Sequence, residues 1–147
     1  MPTFTEVFGA RILIVDDQSS NVKLLEFTLR RAGYREVSST SDPLQVAALH
    51  RQNRYHLILL DLQMPHMNGF EVMVALSEAE DPVSVAVLVL SADPSQTSAA
   101  LQCGASDFLG KPFDLGEVLL RVRRLLEKTM DGWVLVPLAP ATAARVA

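Results

Sequence analysis

The chain has 147 residues, 49% of them hydrophobic and 20% charged, which suits one folded domain with a real apolar core and excludes both a disordered chain and two substantial domains. A formal net charge of -4 argues against a whole-surface grip on nucleic acid or anionic lipid, so direct nucleic-acid binding and membrane contact are not expected. Cys103 is the single cysteine; it can form neither an intrachain disulfide nor a thiolate zinc cage, and its place before Gly104 in a helical stretch predicts burial rather than redox chemistry.

Residues 1–10 read as a short leader with no strong signal. They lack the basic segment and apolar run of a secretory signal, and no stretch of the chain reaches the roughly 20 apolar residues of a membrane span, so the cytoplasm is the expected compartment. RILIV at 11–15 is a continuous apolar run ending in Asp16 and Asp17, as a strand buried on both faces would. Ser19 or Ser20 is placed to cap a helix with an inner stripe of Val22, Leu25, Leu29 and Ala32, which Gly33 stops. EVSST at 36–40 is a shorter, more polar strand suited to a sheet edge. Asp42-Pro43-Leu44-Gln45 supplies a capping acid, a proline at the first helical position and a glutamine at the third, opening a second helix to about residue 52.

LILL at 57–60 is the next buried strand, and it too ends in an acid, Asp61. Pro65 breaks the chain, Gly69 supplies a permissive turn, and 70–76 reads as the third helix. VAVLVL at 85–90 is a fourth strand ending in Ser91, and Asp93-Pro94-Ser95-Gln96 repeats the earlier start signal for a short fourth helix closed by Gly104. Residues 107–110 form a short fifth strand leading into Lys111-Pro112-Phe113. Asp114 and Glu117 have the spacing of a capping box for a fifth helix to about residue 128, with Leu115, Val118, Leu119, Val122, Leu125 and Leu126 on its apolar face. Arg121, Arg123, Arg124 and Lys128 form its solvated face. Residues 133–136 read as an apolar strand or groove-packing segment, and the Pro- and Ala-rich end from Pro137 as a tail or linker. The expected division is a leader at 1–10, a folded body at 11–128 and a C-terminal extension at 129–147.

Five apolar strands alternating with five helices argue for an α/β fold, a parallel sheet covered on both faces. Covering both faces with right-handed crossovers makes the chain reverse direction across the sheet, and ligands collect at the carboxyl ends of the strands beside that reversal. Asp16, Asp17, Asp61, Ser91 and Lys111 all follow strands, so they belong at one edge.

Three carboxylates converging there repel one another, and a divalent cation removes the conflict. Oxygen ligands without histidine or cysteine select Mg²⁺ or a similar ion, which keeps octahedral positions open for water or a phosphate oxygen. Asp61 is the best nucleophile, able to take a phosphoryl group as an acyl phosphate. Lys111 supplies a second cation and the Ser91 hydroxyl a donor to a phosphoryl oxygen, while a cis Pro112 would aim the lysine at the site.

LIVDD at 13–17, LLDLQMPHMNG at 59–69, LSA at 90–92 and GASDFLGKPF at 104–113 closely resemble the receiver domain of two-component response regulators. The resemblance covers about residues 9–128 and implies a flavodoxin-like sheet of order 2-1-3-4-5. It implies Asp61 as phosphoacceptor, Asp16 and Asp17 as the acidic pair that holds Mg²⁺ together with the Gln63 backbone carbonyl, and Lys111 as the phosphate-sensing lysine. Ser91 stands at the family's switch Thr/Ser and Phe108 at its switch aromatic, commonly Tyr. The implied partners are a sensor histidine kinase or phosphotransfer protein, with output through the fourth helix, fifth strand and fifth helix to a second copy or a downstream protein. The implied chemistry is self-phosphorylation and dephosphorylation, not conventional enzymatic turnover.

Two features depart from the family pattern. The segment from Ser91 to Lys111 is slightly short, which predicts a clipped fourth helix, and Phe108 lacks the tyrosine hydroxyl.

Other readings of the same residues differ in class. A magnesium-dependent phosphohydrolase needs a general acid or base, but His56 precedes its strand and His66 is only a loop candidate. A nucleotide or flavin binder needs bare amides in its first loop, whereas residues 16–20 are acidic and glycine-free. A receiver fold used only for protein binding, or a fragment of a larger response regulator or hybrid kinase, remains compatible with the motifs. Met64, Pro65, Met67 and Gly69 read as loop architecture positioning Gln63.

Overall fold

The apolar runs become the strands of one parallel sheet: β1 (Arg11–Val15), β2 (Glu36–Thr40), β3 (Leu57–Asp61), β4 (Ala86–Ser91) and β5 (Asp107–Gly110), in the order β2-β1-β3-β4-β5. The computed structural model describes residues 4–64, 67–78 and 85–135, with side chains from 6 to 130. Among these residues the helices are α1 (Phe4–Phe8), α2 (Ser19–Ala32), α3 (Val46–Asn53), α4 (Gly69–Ser77), α5 (Thr97–Gln102) and α6 (Leu115–Leu135). None of them is long and apolar enough to cross a membrane.

Alternation along the central strands splits the core in two. Ile12, Ile14, Leu57, Leu59, Leu88 and Leu90 pack with Leu25 and Leu29 of α2 and Val118, Val122 and Leu126 of α6. Their sequence neighbours Leu13, Val15, Ile58, Leu60, Val87 and Val89 face the opposite layer, with Val46, Val72, Met73 and Ala100 from α3, α4 and α5. A strand apolar at every position therefore fills two layers at once. The more polar β2 pairs only with β1, as an edge strand should. Because β1 lies between β2 and β3, the chain reverses between β1 and β3, and a crevice opens at their carboxyl ends.

Several local expectations are corrected. The leader contains α1, with Val7 and Ala10 fully buried in the first layer. Phe8 meets Tyr34 edge-on at 5.0 Å, and the Arg123 guanidinium sits 5.7 Å from the Phe8 ring. A helix of one turn is too short to show a periodic pattern, so tertiary contact creates it. Gly33 has φ 116°, and a Cβ there would lie 3.1 Å from Phe8 Cε1, so its lack of a side chain matters for both the helix stop and the packing.

Neither serine caps α2. Gln18 is the cap residue, and its side chain makes no capping bond but accepts from Asn21 Nδ2 at 3.0 Å, while Ala32 is exposed rather than part of the inner stripe. Each Asp-Pro signal opens on a single 3₁₀ turn before the α-helix, with Asp42 and Asp93 accepting from the backbone N–H groups of Leu44 and Ser95. The fourth expected helix is α5, only 6 residues long, consistent with a clipped segment. The expected capping box on α6 does not form in full: Asp114 accepts from Gly116 N–H, but Glu117 pairs with Arg121.

Arg121 and Arg123 are engaged in ion pairs with Asp107, Glu117 and Glu127 rather than simply solvated. Cys103 is exposed, because α5 ends just before it. At 133–135 the backbone continues α6 instead of forming a strand. Val136, the tail from Pro137, Pro65 and His66 lie outside the described residues.

Candidate functional site

At the reversal, Asp16 follows β1 directly and is 2% exposed. Its Oδ1 accepts from Gln18 N–H at 2.9 Å and its Oδ2 from Asn21 Nδ2 at 3.3 Å, so the first turn of α2 orients this carboxylate. Asp17 is exposed. Asp61 ends β3, is buried, and accepts from Gln63 N–H at 3.2 Å. One oxygen from each of Asp16, Asp17 and Asp61 lies within 4.8 Å of the others.

Lys111 reaches this group from β5. Its backbone N–H donates to Ser91 C=O at 2.8 Å, extending the β4–β5 ladder by one bond, and the Lys111–Pro112 peptide is cis. Its Nζ lies 3.5 Å from Asp16 Oδ2 and 3.5 Å from Asp61 Oδ1. Burial raises the Asp61 pKa above the ordinary carboxylate range; the Gln63 N–H and the Lys111 charge pull it down, and the Asp16 charge pushes it up.

The three acids and Lys111 are thus gathered as the sequence predicts. Asp61, Gln63 and Lys111 also line a cleft of about 500 Å³ whose wall includes Asn21, Leu24, Ala92 and Phe113. The donor set is all oxygen, which suits a hard divalent cation rather than zinc. The carboxylate oxygens are close enough to share one ion.

Ser91 ends β4 with no exposed surface. Its hydroxyl donates to Gln96 Oε1 at 3.0 Å and accepts from Asp93 N–H at 3.2 Å. Phe108 is half-buried against the second apolar layer. His56 is buried at the amino end of β3, where its Nδ1 accepts from Arg11 N–H at 3.0 Å. It therefore sits at the end of the strand opposite Asp61.

Three contributors have roles that their motifs do not announce. Asn21 and Gln96 act on Asp16 and Ser91 through side-chain bonds, whereas the sequence marks Gln96 only as part of a helix start and Asn21 only by its place in a first turn. Gly69 reads as a permissive turn, yet close approach is what requires it. A Cβ there would lie 2.6 Å from Leu62 Cδ2 and 2.8 Å from Asp61 O, so the start of α4 lies directly against the backbone that carries Asp61.

This arrangement defines a class: a doubly wound α/β domain with a cluster of three acids and a lysine at its switch point. The family model for the response regulator receiver domain matches residues 12–123. The chain is 37% identical over 124 residues to the transcriptional regulatory protein PrrA of Mycobacterium tuberculosis, covering 84% of this chain and 53% of that protein. It is 39% identical over 121 residues to the DNA-binding dual master transcriptional regulator RpaA of Synechocystis, covering 81% and 50%. The chain thus spans about half the length of these relatives.

Among solved structures it is similar to the receiver domain of sensor histidine kinase PA1611 from Pseudomonas aeruginosa, crystallised with a magnesium ion coordinated in the active-site cleft. That match has a TM-score of 0.73 and 30% identity, covering 81% of this chain and 98% of that one. The chain belongs to the response regulator receiver domain family, and the flavodoxin-like sheet order expected from its motifs is the one observed.

Proposed function

We propose that Asp61 accepts a phosphoryl group from a phosphohistidine of a sensor histidine kinase or a phosphotransfer protein. The observation that carries this reading is the gathering of one oxygen each from Asp16, Asp17 and Asp61 within 4.8 Å of one another, with the Lys111 ammonium 3.5 Å from Asp61 and both Asp61 and Lys111 on the wall of the cleft. An Asp61 oxygen forms the new bond to phosphorus while the phosphorus–nitrogen bond breaks and the imidazole leaves. Lys111, already 3.5 Å from Asp61, donates to the incoming phosphoryl oxygens and offsets their charge. Asp16, Asp17, Asp61 and the Gln63 carbonyl hold Mg²⁺, which when bound neutralises charge on the carboxylates and the phosphoryl oxygens.

In this reading Ser91 and Phe108 are switch residues. Ser91 follows a phosphoryl oxygen, and Phe108 changes burial by packing alone because it has no hydroxyl to bond. Both lie at the roots of α5 and β5, so the shift appears on the surface of α5, β5 and α6, where a second copy or a downstream protein would read it. The unit is a phosphorylated switch in the cytoplasm with a receiver body at 11–128, and α1 and the end of α6 are additions to it. Asp61→Asn abolishes Mg²⁺-dependent labelling by a small phosphodonor in this account; undiminished incorporation by a folded variant, with the phosphate mapped by mass spectrometry, would sink it.

A further inference from the structure

The Ser91 hydroxyl has one proton to donate, and it is committed to Gln96 Oε1 at 3.0 Å. Asp93 N–H already occupies an acceptor site on the same oxygen at 3.2 Å. Ser91 has no exposed surface, so bulk water offers its hydroxyl no ready alternative. A buried hydroxyl in this setting has to exchange one acceptor for another, because leaving its proton unpaired is costly. Gln96 closes the 3₁₀ turn Pro94–Gln96 that opens α5, and its backbone N–H is held by Asp93 C=O at 3.2 Å. The acceptor is therefore carried by the turn that leads into α5.

We infer that Gln96 is a positioning residue, a latch that holds Ser91 in the unphosphorylated arrangement and releases it when a phosphoryl oxygen competes for the same proton. The inference rests on Asp61 being the phosphoacceptor and Ser91 following the phosphoryl group. In the resting protein the Gln96–Ser91 bond stabilises the off state; in the phosphorylated protein that bond is replaced. Removing the Gln96 side chain thus penalises only the resting state, and affinity for a phosphoryl group rises. The same bond couples Ser91 to the entrance of α5, so a change at one carboxylate reaches the start of that helix through a single side-chain exchange.

The test is calorimetric titration of the full chain with beryllium fluoride in saturating Mg²⁺, for wild type, Gln96→Ala, Ser91→Ala and the double variant. Losing one hydrogen bond from the resting state alone should tighten binding by Gln96→Ala about two- to tenfold, with Mg²⁺ affinity unchanged. In the Ser91→Ala background the same substitution should have no effect, an outcome that general loosening of the turn would not give. Equal or weaker binding by Gln96→Ala, or an equal gain with and without Ser91, overturns the latch while leaving the phosphoacceptor intact. Failure of the wild type itself to bind beryllium fluoride overturns the phosphoacceptor reading and the latch with it.

Discussion

The ammonium of Lys111 lies 3.5 Å from Asp61 Oδ1, joining the end of β5 to the end of β3 across the intervening β4. Lys111 is 20% exposed and Asp61 8% at their side chains, so water screens the pair only in part. The same ammonium is 3.5 Å from Asp16. One cation therefore serves two buried carboxylates.

Lys111→Met should destabilise the metal-free protein by about 1–3 kcal/mol at neutral pH, because it leaves that carboxylate pair without its cation. The Asp61 pKa, already raised by burial, should rise further, since Lys111 is one of the groups holding it down. Urea unfolding with and without Mg²⁺ measures the loss of stability, and its pH dependence follows the Asp61 shift: added Mg²⁺ should recover part of the loss by binding only the folded state. Unchanged metal-free stability would show that the pair does not contribute.

Asp17 behaves differently because it is exposed and its neighbours Asp16 and Asp61 carry the same charge, so removing it strands no opposite charge. Asp17→Ala removes one of three converging acids, so metal-free stability should hold or rise slightly while Mg²⁺ affinity falls about tenfold or more. Calorimetric titration with Mg²⁺ reads the affinity, and thermal unfolding without metal reads the fold. Equal affinities would take Asp17 out of the site.

His56 gives a pH dependence unconnected with phosphate. Burial first, then the charge of Arg11 and the neighbouring His50 ring, push its pKa down to about 3. An unfolded histidine titrates near 6.5, so below that pH the unfolded chain binds a proton that the folded chain refuses. The contribution of His56 is fully present above about pH 6.5 and is lost as pH falls toward 3, with a slope of up to about 1.4 kcal/mol per pH unit. His56→Asn can keep an acceptor for Arg11 N–H but cannot titrate. Urea unfolding at pH 7.5, 6 and 5 should therefore show a flatter slope for the variant, and parallel slopes would refute the assignment.

The division between what the sequence revealed and what it hid follows the range of the interactions. RILIV, LILL and VAVLVL announce buried strands because each apolar residue in them faces one of two apolar layers, and the shared edge of the polar residues that end them, Asp16, Asp17, Asp61 and Ser91, follows from the topology. Helix α1 was hidden because its stability comes from Val7 in the core and Phe8 against Tyr34, contacts made by residues far away in the chain. Cys103 is turned outward by the end of a six-residue helix, and the composition around it gives no sign of that. The bonds from Asn21 to Asp16 and from Ser91 to Gln96 span five residues each, and they depend on rotamers that no spacing rule specifies.

Gly69 offers the sharpest test of how the site is built. Its Cβ position is 2.8 Å from both Asp61 O and Leu62 Cα, contacts with backbone that cannot rotate away, and its N–H donates to Leu62 C=O at 3.1 Å. Gly69→Ala must therefore push the first turn of α4 away from the end of β3 or displace the loop that follows Asp61. Either movement should cost about 1–3 kcal/mol, the usual range for overpacking a fitted contact. Because the displaced backbone belongs to Asp61 and its successor, Mg²⁺ and beryllium fluoride binding should weaken as well, although Gly69 has no side chain to touch either. Gly104→Ala is the control: it has φ 110° but open space around it, so it should strain the end of α5 without touching the acidic site. Urea unfolding and calorimetric titration on the two variants separate these cases; a Gly69→Ala protein with wild-type stability and affinity would show that the close approach to Asp61 is not what requires the glycine.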